Sequence, residues 1–144
     1  MYNLLIEKLR AYLIHNNPEL IVRHEEEFSL RAYLEQKVKE VEPLLKKLIL
    51  EGKPANVIEE LCLEEMTSEL RPSKFHYIRR ILKKSFKEEF FSMKESGTLT
   101  YQTIQLVGLC DKHFNATNFT GATQNDPKLK EQVLKTIEEH LKKS

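Results

Sequence analysis

Apolar residues recur along most of this chain at steps of three and four, the spacing that places them on one face of an α-helix. Leu5, Leu9, Tyr12 and Leu13 set that rhythm, with Glu7, Lys8 and Arg10 off the stripe, and predict a helix over residues 3–16. Asn16-Asn17-Pro18 closes it, because the residue before a proline is pushed out of the α region. A second stretch, about Glu26 to Glu51, aligns Phe28, Ala32, Val38, Val41, Leu45, Leu48 and Ile49 as one buried stripe. Pro43 lies inside that stretch and brings no backbone donor, so a kink or a break is expected there. Gly52 supplies the stop, and Pro54 sits at the start of the next helix.

The third helix, over 54–70, gathers Val57, Ile58, Leu61, Cys62 and Met66, with glutamates covering the rest. Arg71-Pro72-Ser73 makes the turn, and Ser73 is placed to cap the fourth helix. Phe75, Ile78, Leu82, Phe86 and Phe90 form that helix, the clearest amphipathic segment, over 74–91. Ser96-Gly97-Thr98 interrupts the pattern before a fifth helix over 99–114, which carries Leu99, Ile104, Val107 and Cys110. Residues 115–125 are small, polar and without period, as in a surface loop. Asp126 and Pro127 suit the cap and first position of a last helix with Leu129, Val133, Ile137 and Leu141 on its face. Lys142-Lys143 ends it, favourable against the negative end of the helix dipole. No segment alternates at period two, so strands are not expected. The expected class is all-α, one compact domain over 1–144 with five to six helices in an orthogonal or irregular bundle.

Length agrees with this. A chain of 144 residues is ordinary for one domain and buries roughly 70% of its unfolded surface without staples. A charged share of 31% against 40% hydrophobic suits a small bundle with a large solvated surface. The net charge of +1 points to neither nucleic acid nor an anionic membrane for the chain as a whole. No run approaches the ~20 apolar residues of a membrane span, and charge interrupts the first apolar run too early for a secretory signal. No membrane partner is expected, and the cytoplasm is the expected location. In that setting the Asn115-Ala116-Thr117 and Asn118-Phe119-Thr120 patterns are chance matches to a glycosylation acceptor. Cys62 and Cys110 read as free, semi-buried thiols.

The spacings tied to catalysis are empty. His15, His24, His76, His113 and His140 never pair at three or four residues, and no Glu-x-x-His occurs, so neither a zinc stripe nor a bundle di-metal site is expected. Cys110 and His113 share a helix face, but Cys110 falls on the apolar stripe, where a thiol packs rather than reacts. The four glycines form no phosphate-binding loop. No catalytic residue, cofactor or metal is predicted.

Charge segregation stands above this background. Residues 55–70 hold Glu59, Glu60, Glu64, Glu65 and Glu69 and no base, whereas 71–87 hold Arg71, Lys74, Arg79, Arg80, Lys83, Lys84 and Lys87 and no acid. At 100° per residue, His76, Arg80, Lys83, Lys84 and Lys87 share one stripe beside the apolar face. Either the acidic and basic helices face each other, with surface ion pairs of ~0–1 kcal/mol each, or they form a helix-turn-helix whose second helix meets phosphates.

Leu9-Arg10-Ala11-Tyr12-Leu13, Asn17-Pro18-Glu19-Leu20, Glu51-Gly52-Lys53-Pro54, Glu59-Glu60-Leu61 and the Phe75–Phe90 helix come one after another in an order that carries a resemblance. It resembles a family of small all-helical Bacteroidetes proteins, defined as a domain of unknown function and often encoded near conjugative-transposon genes. The resemblance implies a helical fold, a bacterial cytoplasmic setting and a link to a mobile genetic element. It carries over no catalytic or binding residue. The first expectation for function is a non-enzymatic module with a protein partner. The alternatives are a nucleic-acid-binding protein using the basic strip, and an enzyme whose site is assembled from distant residues.

Overall fold

The computed structural model describes residues 1–26 and 29–143, and every regular element among them is helical. In chain order these are α1 (Tyr2–Asn16), α2 (Pro18–Glu26), α3 (Leu30–Leu50), α4 (Ala55–Met66), a 3-10 turn (Ser68–Leu70), α5 (Lys74–Ser85), α6 (Lys87–Ser96), α7 (Leu99–Leu109), α8 (Asp111–Thr117) and α9 (Pro127–Lys143). The all-α class holds, but nine α-helices among the described residues replace the expected five to six. Phe28, expected in the stripe of the second helix, lies outside the described residues.

One added helix and two splits make the difference. Pro18 ends α1 and also opens α2, a nine-residue helix whose apolar content, the consecutive Leu20, Ile21 and Val22, is too brief to show a period. The expected 74–91 helix divides at Phe86, whose φ of −133° and ψ of 54° leave the α region. Its apolar steps of four run across the junction unbroken, so periodicity is blind to it. The charges mark it instead. Lys83 and Lys84 occupy the last turn of α5, while Glu88 and Glu89 occupy the first turn of α6, each matching the dipole end it sits on. The expected 99–114 helix divides at Cys110 in the same way, with Asp111 in the first turn of α8.

Pro43 causes no break. It lies on the exposed side of α3, and so does Lys39, whose carbonyl loses its intrahelical partner, so water can serve that carbonyl. The buried face of α3 is Leu34, Val38, Val41, Leu45 and Leu48, and Ile49, expected on it, is 54% exposed. Leu61 likewise turns outward from α4, while Ile58, Cys62 and Met66 are buried.

Backbone contacts gather the chain into two compact units, Met1–Leu70 and Arg71–Ser144. Each has its own core. In the first, Leu5, Leu9 and Leu13 of α1 pack with the α3 face and with Ile58, Cys62 and Met66 of α4. In the second, Phe75, Ile78 and Leu82 of α5 pack with Phe90, Leu106, Val107, Phe114 and the α9 face of Leu129, Val133 and Ile137. Part of the expected 115–125 loop completes α8, which Asn118 ends in the left-handed region at φ 54°. The rest is pinned by Phe119, whose ring meets those of Tyr77 at 5.2 Å and Phe114 at 4.8 Å, edge-on. Such aromatic pairs contribute about 0.5–1.5 kcal/mol each beyond their burial.

Candidate functional site

Helix α5 is the most amphipathic segment of the second unit, and its polar side is almost wholly basic. Ser73 caps it by accepting a hydrogen bond from the His76 backbone N–H at 3.1 Å, which satisfies one of the donors left over at a helix start. Phe75, Tyr77, Ile78, Ile81 and Leu82 are buried and fix which way the helix faces.

The bases of α5 fall into two sets. Lys74 pairs with Asp111 at 3.8 Å and lies over the Phe114 ring, 5.5 Å from its centroid. Arg79 lies over Phe90 at 5.4 Å. These two serve the packing of their own unit. Arg80, Lys83 and Lys84 are exposed and meet no carboxylate among the described residues. His76, the fourth α5 member of the predicted strip, is half-buried with its ring edge-on to Phe75 at 5.5 Å. Lys87, predicted on the same stripe, opens α6 beyond the Phe86 junction, so the wheel that grouped it with His76 does not extend to it. It is exposed nonetheless, three residues past Lys84 in the chain.

Two of the five glutamates of the preceding segment have partners inside the first unit. Glu59 of α4 pairs with Lys8 of α1 at 3.4 Å, and Glu69 of the 3-10 turn pairs with Lys37 of α3 at 3.7 Å. The acidic and basic segments thus close one unit and open the next. Counting charge by unit changes its meaning. Residues 1–70 carry 9 Lys and Arg against 14 Asp and Glu, a net −5, whereas residues 71–144 carry 14 against 8, a net +6. The whole-chain value of +1 is the sum of two opposed halves. This asymmetry was available to sequence reasoning, but only once the boundary at Leu70 was known.

The remaining chemistry-bearing residues assemble differently. Cys110 and His113 do come together, through Thr136 of α9. His113 Nε2 lies 3.2 Å from the Thr136 hydroxyl, which also engages the Cys110 thiol. Burial nevertheless pushes the Cys110 thiol up to about 11, the opposite of what a nucleophile needs. Cys62 is also buried, free and shifted upward by burial. Among the described residues no three His, Cys, Asp or Glu side chains are grouped to hold a metal ion. A cleft of about 450 Å³ runs beside α6, α7 and α9, lined by Glu88, Glu89, Ser92, Met93, Gln102 and Leu141. No histidine, cysteine or lysine lines it, and His140 Nε2 closes on Gln102 Oε1 at 2.8 Å.

The class that fold and site define is therefore an all-helical protein with an exposed, uncompensated basic strip on one of its two units. Compared with models of protein families, with curated proteins and with solved structures, the chain has no match. No helix among the described residues is long and apolar enough to cross a membrane.

Proposed function

We propose that this protein is a non-enzymatic binding protein whose second unit takes a nucleic acid through the basic strip of Arg80, Lys83, Lys84 and Lys87. The observation that carries the reading is their exposure without a carboxylate partner on a unit of net charge +6. Four cations within eight residues form a local field that neutral overall charge does not cancel, since screening at physiological salt confines each charge to about 8 Å. Phosphates release counterions when lysine and arginine replace them, and this supplies affinity without any base-specific contact. A bacterial cytoplasm and a mobile-element context are compatible with such a role and belong to the same proposal.

A protein partner remains a second reading because of one feature of the first unit. Ile49 and Leu50 end α3 at 54% and 88% exposure, an apolar pair facing solvent beside Gly52. Single exposed apolar residues are normal, so this pair supports a contact point rather than an interface.

A mobility-shift titration separates the two readings. The intact chain is expected to retard a short oligonucleotide at low salt, and Arg80→Glu with Lys84→Glu is expected to abolish the shift. No retardation at low salt sinks the nucleic-acid reading. In that case Leu50→Asp, tested for loss of a protein partner, becomes the informative variant.

A further inference from the structure

We propose that the nucleic acid is single-stranded and that Phe91 stacks on one of its bases. The inference rests on the reading above and adds a residue and a substrate class to it. Helix α6 buries Phe90 and half-buries Met93, which fixes its inward side. Phe91, one residue on, points away from that side and is 55% exposed. Lys87 lies four residues before it and Lys94 three after, the spacings that make neighbours on a helix surface. All three are exposed, and neither lysine meets a carboxylate among the described residues. The result is an aromatic ring with two cations along one flank, and Lys83 and Lys84 stand exposed at the end of α5 just before them.

A ring beside a row of cations is of use to an unpaired strand and not to a duplex. In a duplex the bases are stacked inward and present no face to an aromatic side chain, so binding is carried by phosphates and groove edges. An unpaired strand offers a base face to the ring and phosphates to the flanking lysines together. Tyr101 of α7 is as exposed, at 60%, but no lysine or arginine shares its helix, and its hydroxyl accepts a hydrogen bond from Gln105 at 2.8 Å. Phe90 supports Phe91 edge-on at 5.6 Å, which narrows the ring's freedom before any ligand arrives. Glu88 and Glu95 lie on the other flank of Phe91, so the phosphates are expected on the lysine side. An anionic membrane would also attract the lysines, but a helix lying in a lipid surface needs its apolar face outward. Here Phe90 and Met93 are turned into the core, and a single ring is left.

The chain contains no tryptophan, so Phe91→Trp in the full-length protein installs a single reporter at the site. Titration with oligothymidylate is expected to quench its emission, because stacking brings the indole against a base. Inorganic polyphosphate is expected to bind the lysines without quenching. Phe91→Ala, at an exposed position, is expected to weaken oligothymidylate about tenfold, the order that one stacked base contributes, and to leave polyphosphate binding unchanged. Equal oligothymidylate affinity for Phe91→Ala and the parent overturns the inference while leaving the nucleic-acid reading intact. So does duplex binding as tight as single-strand binding. A blue shift with phosphatidylserine vesicles and no response to oligothymidylate overturns it in favour of a membrane. If no polyanion binds at all, both proposals fall together.

Discussion

Cys110 shows at the scale of one residue how this structure disposes of reactive groups. Its thiol is buried between α7 and α8, and desolvation, which disfavours the thiolate, outweighs the Thr136 hydroxyl and the nearby Lys112 cation that favour it. The folded-state value near 11 lies above the ordinary thiol value of about 8.5. The folded state is therefore favoured while the thiol stays protonated, and that advantage is lost as pH rises toward 11. Cys62, Tyr33 and Tyr77 are shifted in the same direction, each mainly by burial. Melting temperature is accordingly expected to fall between about pH 9 and pH 11. At pH 8, alkylation of Cys110 in the folded protein is expected to be far slower than in denaturant. Rapid native-state alkylation at that pH would show that the thiol is neither buried nor shifted as described.

At the scale of the element, Pro43 offers the sharpest test. It sits exposed in the interior of α3, where it removes a backbone hydrogen bond without breaking the helix. Proline in a helix interior is about 3 kcal/mol less favourable than alanine, and tertiary packing of the α3 face evidently overrides this. Pro43→Ala is expected to raise stability in urea denaturation by about 1–3 kcal/mol, and a loss of stability would mean that a bend at Pro43 is required by the core. The same contest explains what could be read from sequence. The buried faces of α1 and α9 were legible because Leu5-Leu9-Leu13 and Leu129-Val133-Ile137 repeat inside single helices. The breaks at Phe86 and Cys110 were not, because apolar steps of four continue through both, and the one glycine near them, Gly108, lies inside α7 rather than at its end. Charge reversal across Lys83-Lys84 and Glu88-Glu89 was the local signal. Of the basic strip, Arg80, Lys83 and Lys84 were legible as exposed neighbours on one helix, whereas His76 is half-buried against Phe75 and Lys87 belongs to the next helix. Phe91 is not legible as a surface ring, because it comes straight after Phe90 and an apolar pair reads as core until burial shows that one ring of the two is out.

At the scale of the whole molecule, two units with separate cores carry opposite charge. The buried cluster of the second unit runs from Phe75 to Ile137 and is built of that unit's own side chains. That segment alone is expected to show helical circular dichroism and a cooperative melt, although a unit of this size is marginal and its melting temperature is expected to be low. A non-cooperative melt would mean that its core depends on the first unit. The charge split carries the functional claim, and the salt dependence of binding measures it most directly. With four strip cations engaged, log K for a single strand against log salt is expected to fall with a slope of about −3 in the intact chain. Each of Lys83→Gln, Lys84→Gln and Lys87→Gln is expected to make that slope shallower by about 0.7. A slope near zero, or one that these substitutions leave unchanged, would contradict a phosphate-binding role for the strip.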